Sequence, residues 1–278
     1  MNSKQKFNSI LLKVLIGIAT VFTFALLIGI IVYVLVLGIP YLKPSLFAFK
    51  HNTTNMSMLP SIINTLIMIL ITLIIAVPIG VFSAIYMVEY AKPGNKFIKY
   101  VRLATETLQG IPSIVYGLFG YIFFVGVMKL GHSIVSGALT MSIMVLPLII
   151  RSTEEALLAV DNKYREASYG LGARKLRTVF NVVLPPAMNG IIAGIILAIG
   201  RVFGETAALM YTSGMSAKLV KSFTQPGSTL AIHMFDLYSE GLHQNEAFAT
   251  ASVLLAFVVL INAISTYIGK QIGGNNGR

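Results

Sequence analysis

The chain contains no cysteine and no tryptophan, it has four histidines, and charged side chains make up 11% of its 278 residues. Without cysteine there is no disulfide framework, thiol nucleophile, zinc–thiolate site or iron–sulfur cluster, and four scattered histidines do not suggest a metal centre. A soluble domain carries about 25% charged residues, so this composition excludes an ordinary soluble protein. Motifs are missing as well. There is no G-x-x-x-x-G-K-[ST] loop to cradle nucleotide phosphates, and no H-E-x-x-H, G-x-S-x-G or G-x-G-x-x-G. An enzyme reading has no anchor: no catalytic set, metal or cofactor is expected, and any ATP hydrolysis must come from another subunit.

What is present is apolar: 56% hydrophobic residues and a mean hydropathy of +0.81. A hydrocarbon core of about 30 Å needs about 20 such residues in a helix. Six stretches are read as spans: 14–38, 62–88, 111–127, 134–150, 190–211 and 247–268. The first is too long for a signal-peptide core and is expected to remain as an anchor. The second holds Pro78 and Gly80, where a kink is expected, and the third and fourth form a hairpin across Lys129-Leu130-Gly131-His132. The expected organisation is an N-terminal helix with an outer loop (1–60), a core (61–269) and a short tail (270–278), with 273–278 flexible.

The net charge of +11 is best read through its position. Alternating faces receive fifteen basic residues against five. The larger set runs from Lys4 and Lys6 through the 92–102 and 151–177 segments to Lys270 and Arg278; the smaller is Lys43, Lys50, Lys129, Lys218 and Lys221. Excess Lys and Arg mark the cytoplasmic side, so both termini are expected to be cytoplasmic in a multi-pass plasma (inner) membrane protein. Topology and anionic lipid account for the charge, and nucleic acid binding loses its support.

Arg201 falls inside the fifth span. On a continuous helix Arg201 and Glu205 would share one face, about 5–6 Å apart at Cβ, and pair. A charge at the bilayer centre costs at least about 2.5–3.5 kcal/mol, which demands a reason. Gly200, Gly204 and Ala208 form a small-residue row suited to close helix approach. Two readings stand: an intramembrane salt bridge locking helices, or an anion path. In the second, the planar guanidinium fork matches phosphate, sulfate or carboxylate oxygens, and Glu205 holds Arg201 while the path is empty.

Segment 151–189 has Ala167, Leu171, Leu176, Val179 and Phe180 at helical spacing among basic residues, which suits a helix resting on lipid headgroups. It also reads Glu166-Ala167-Ser168, then Gly172, then Val182-Val183-Leu184-Pro185. That pattern resembles the EAA loop of ABC importer permeases, with Ser168 in place of the second Ala. The runs 106–120, 151–157 and 204–207 further resemble the A-type permeases of phosphate ABC transporters (PstA), a likeness covering roughly 61–269.

The resemblance implies an all-α membrane protein with six transmembrane helices and the type I ABC importer (MetI-like) permease fold, translocating inorganic phosphate. It implies a paralogous C-type permease, an ATPase subunit dimer that binds the ATP, and an extracytoplasmic phosphate-binding protein as partners. It assigns Arg201, Glu205 and Thr206 to the substrate path, and Glu166, Ala167, Ser168, Gly172, Leu184 and Pro185 to coupling with the ATPase, two short helices turning at Gly172. Alternatives are the C-type permease, a permease for another oxyanion, a gradient-driven anion carrier and a membrane scaffold. Glu106 is read as an acidic cap at the start of the third span, and Arg151, Glu154 and Glu155 as local pairs. In the outer segment 212–246, Pro226-Gly227 marks a turn. The stretch Leu230, Ile232, Phe235, Leu237 and Tyr238 after it suits a binding-protein contact or an interfacial helix.

Overall fold

A computed structural model describes residues 3–52, 54–92 and 94–274; Arg278, with 275–277, and the side chains of Lys4, Lys6 and Lys270 lie outside the described residues. In a bilayer every backbone polar group must be satisfied within the segment, which leaves helices for these apolar runs. Among the described residues there are two short 3-10 helices at Ile39–Tyr41 and Pro44–Phe47, no strand, and ten α-type helices. They are α1 (Ser3–Gly38), α2 (Leu59–Tyr90), α3 (Lys96–Gln109), α4 (Ser113–Val127), α5 (Ile134–Leu158), α6 (Asn162–Gly170), α7 (Lys175–Phe203), α8 (Ala207–Thr212), α9 (Leu230–Glu240) and α10 (Gln244–Gly274). Helix α10 runs through Gly273 and Gly274, the first two residues of the stretch expected to be flexible.

Five helices are long and apolar enough to span: α1, α2, α5, α7 and α10. The third expected span differs. It is a pair, α3 and α4, bent by 102° around 110–112. Pro112 provides the extended residue before α4, and a residue preceding proline avoids the α region. Glu106 therefore lies near the end of a separate amphipathic helix and caps nothing in α4. Helix α2 continues through Pro78 without interruption as far as Ile85, then widens into a π-turn at Tyr86–Tyr90. Helix α5 extends to Leu158, so 151–157 is its last two turns rather than a loop.

The core lies between α2, α5 and α7. Met68, Met141, Ile149, Phe203 and Leu209 fill its larger part, while Ile85, Leu157, Val179 and Val183 form a smaller cluster at the Lys- and Arg-rich end. Helices α5 and α7 run antiparallel in close contact at two small residues. A Cβ at Gly190 would stand 2.6 Å from that of Ala156, and one at Gly194 would overlap the Ser152 hydroxyl. Gly194→Val is expected to force the helices apart at a cost of about 1–3 kcal/mol. Gly200→Ala, with open space around the added methyl, is expected to stabilise the protein by about 0.4–1 kcal/mol. Thermal unfolding of the purified variants measures both.

At the opposite end, buried polar side chains of α2 hold segment 213–230. Asn64 donates to the Lys218 and Ser228 carbonyls and accepts from Val220 N–H, Ser61 pairs with Ser228 at 2.9 Å, and Thr65 accepts from Leu230 N–H. Within the expected amphipathic stretch Leu230, Ile232 and Leu237 are buried in the core, and Tyr238 packs edge-on to Phe248.

Candidate functional site

The fifth span is not one helix. Helix α7 stops at Phe203, Gly204 closes it, and α8 begins at Ala207. Gly204 favours a break, since glycine costs more than other non-proline residues in a helix. Glu205 stabilises the restart: its Oε1 accepts from Ala208 N–H at 3.1 Å, satisfying an otherwise orphaned donor where the helix dipole favours an anion. The expected Arg201–Glu205 pair is therefore absent. Arg201 forms no ion pair or hydrogen bond with another described residue, and its side chain is exposed.

The depth of Arg201 follows from the α5–α7 contact. Gly190 faces Ala156 and Gly194 faces Ser152. Continuing that register places Arg201 level with Val145, near the middle of α5. A guanidinium thus sits level with the middle of α5 on an exposed face, one turn before a helix break that leaves carbonyls without intrahelical partners. Tyr116 lies within its electrostatic reach. The expected small-residue row is also relocated. Gly200 meets nothing, whereas Ala208 packs on Gly117 of α4, where a Cβ would approach its Cα to 2.8 Å. Thr206 is half-buried at the break between α7 and α8.

At the basic end, α6 and the first turn of α7 are joined by a turn in which Gly172 has φ +77°, a conformation that disfavours any side chain. The second of the two expected short helices is the base of α7 itself. Glu166 and Ala167 are exposed on α6; Ser168 faces inward and its hydroxyl bonds that of Thr178 at 2.9 Å. Leu184 and Pro185 lie further along α7, after a π-turn at Val179–Val183. Leu171, 90% exposed, and Leu176 present apolar surface beside α6.

Sequence reasoning missed what holds α6 in place. Arg165 is nearly buried and saturated: its Nη2 and Nε bond Glu89 Oε1 at 2.8 and 3.0 Å. Nη1 reaches the Val160 carbonyl and Asn162 Oδ1, and Nη2 also reaches the Leu157 carbonyl. Glu89 is 4% exposed. Lys175 lies over the Tyr90 ring at 5.1 Å, a second tie between α2 and α7. Of the acidic residues near the end of α5, Glu155 pairs locally with Arg151, but Glu154 bonds Arg102 of α3 at 2.6 Å. On the far side, His233 stacks edge-on to His51, and burial, then that neighbouring ring, lowers its pKa to about 4. It is uncharged at neutral pH and offers no cation to an anion. Among the described residues no cluster of His, Asp or Glu could hold a metal.

Residues 76–273 match the family described as binding-protein-dependent transport system inner membrane component. The probable ABC transporter permease protein YqgI of Bacillus subtilis (strain 168) is 33% identical over 280 residues, 92% of this chain and 93% of its own. The phosphate transport system permease protein PstA of Pasteurella multocida (strain Pm70) is 31% identical over 238 residues, 84% of each chain. The chain spans half or less of the mycoplasmal and mycobacterial phosphate permeases that it also matches. Among solved structures, a chain of the MetNI methionine ABC transporter in inward-facing conformations superposes with a TM-score of 0.60 at 18% identity. The match covers 77% of this chain and 94% of that one, and is a likeness of fold.

Proposed function

The chain belongs to the family of binding-protein-dependent transport system inner membrane components and has the type I ABC importer permease fold, and from that premise we propose that it is the A-type permease of an inorganic phosphate importer. Both termini then face the cytoplasm with the basic end. ATP is bound and hydrolysed by a separate subunit dimer, a paralogous C-type permease completes the path, and a phosphate-binding protein delivers substrate outside.

The observation that carries this reading is Arg201: charged, unpaired, level with the middle of an apolar helix, and exposed on a face of a single chain. Such a cation is tolerated only against a partner or an aqueous path. Its fork of donors suits a tetrahedral oxyanion, and the Pasteurella relative is named for phosphate transport. The site is weak by design, since an ion must leave as readily as it enters. Glu205 and Thr206 shape the break beside it. Glu166, Ala167 and Gly172 form the surface offered to the ATPase, Ser168 braces that surface from within, and Leu184-Pro185 carries motion into α7.

Proteoliposomes containing this chain with its partner permease, ATPase and binding protein are expected to accumulate labelled phosphate only when ATP is hydrolysed. Uptake that persists without the ATPase would establish a gradient-driven carrier instead. The same guanidinium fits sulfate and arsenate, so competition by each decides between phosphate and another oxyanion.

A further inference from the structure

Helix α3 is unlike the other long helices. It bends 102° from α4, so with α4 crossing the bilayer it lies nearly in the membrane plane at the basic end. It has three faces. Ile98 and Val101 pack inward; Phe97, Tyr100 and Leu103 are 65%, 69% and 59% exposed; Lys96, Lys99, Arg102 and Glu106 form a charged edge. Aromatic and aliphatic side chains beside a basic edge are the composition of a helix seated at the headgroup boundary.

Beneath this helix lies a cavity of about 420 Å³ between the end of α2, α3 and the end of α5. It is lined by the buried Met87 and Ile98, by the exposed Leu158, and by the cations Lys92, Lys99 and Arg102. Arg102 is already engaged by Glu154. Lys92 and Lys99 are exposed and form no ion pair among the described residues. The cavity is therefore amphiphilic in the same sense as a phospholipid, with an apolar part and two ammonium groups free of ion pairs among the described residues.

We propose that this cavity binds an anionic phospholipid of the leaflet at the basic end, its phosphate between Lys92 and Lys99 and the start of an acyl chain against Met87, Ile98 and Leu158. A zwitterionic lipid brings a cation that these ammonium groups repel, whereas phosphatidylglycerol does not. A free phosphate ion would satisfy the lysines but leave the apolar part wet. Juxtamembrane basic residues each strengthen anionic lipid binding about fivefold.

The test uses the detergent-solubilised assembled transporter titrated with phosphatidylglycerol or phosphatidylcholine and read by native mass spectrometry. Phosphatidylglycerol is expected to be retained preferentially. Lys92→Gln with Lys99→Gln should weaken that retention by about 25-fold and leave phosphatidylcholine unchanged, while Lys92→Arg with Lys99→Arg keeps the preference. A photoreactive acyl chain on phosphatidylglycerol, applied to the unaltered protein, should label peptides containing residues 87–102 or Leu158. Equal retention of the two lipids, an unaffected Gln variant, or label confined elsewhere overturns the proposal. Displacement of the lipid by millimolar inorganic phosphate would show a free-anion site instead.

Discussion

Arg201→Gln in the assembled transporter is expected to lower ATP-driven phosphate uptake by about 10–100-fold, the loss of charge-assisted hydrogen bonds worth about 1.5–3 kcal/mol. Arg201→Lys keeps the charge but replaces a planar fork by a point donor, and is expected to fall between the two. Glu205 makes the comparison sharper. Its carboxylate bonds Ala208 N–H rather than Arg201, and a Gln amide oxygen accepts the same bond. Glu205→Gln should therefore change uptake by less than about threefold, the charge-assisted part of one half-buried cap. If Glu205 were instead the counter-ion of Arg201, that variant would be as damaging as Arg201→Gln. Initial rates of labelled phosphate uptake, normalised to assembled complex, decide the matter; near-normal uptake in Arg201→Gln would remove the proposed path.

The second large effect concerns Arg165 and Glu89. Removing one member of a buried pair leaves an uncompensated charge, at a cost of about 3–5 kcal/mol. Arg165→Met also frees the Leu157 and Val160 carbonyls that the guanidinium now satisfies. Helix α6 should detach from the ends of α2 and α5, leaving the spans folded. The expected phenotype is uncoupling: ATP hydrolysis persists in the complex while phosphate moved per ATP falls at least several-fold. Glu89→Gln, which keeps an acceptor but not the charge, should be milder. A preserved transport-to-hydrolysis ratio in Arg165→Met would show that α6 is positioned by other contacts.

How much of this could be read from residues alone differs by element. Long uncharged runs gave α1, α2, α5 and α10 directly, because hydropathy over a bilayer's thickness is a strong signal. Helix α3 was hidden, since Lys96, Lys99, Arg102 and Glu106 interrupt its apolar residues and keep it from reading as a span. The break at Gly204 was missed because Gly-Glu-Thr contains no proline and helices tolerate one glycine, so the spacing of Arg201 and Glu205 suggested a pair that the backbone does not allow. Glu89 and Arg165, 76 residues apart in sequence, could not be matched by any local pattern. The available hint was a single carboxylate at the close of an apolar span whose other flanking charges are basic. The pattern at 166–172 was legible as a motif, while the contact of Ser168 with Thr178 is visible only in three dimensions.

Helix α7 runs from the turn after α6 to the break beyond Arg201, widened once by the π-turn at Val179–Val183, and it approaches α5 closely where Gly190 meets Ala156 and Gly194 meets Ser152. That contact works as a fulcrum placed off-centre. From Gly194 the arm toward Lys175 is about 28 Å and the arm toward Arg201 about 10 Å, at about 1.5 Å per residue. A push of a few ångströms at the long arm would therefore swing the guanidinium by about a third as much and in the opposite direction. So geared down, such a stroke would trade distance for force, which under the proposed reading of Arg201 suits an ion held weakly at the short end.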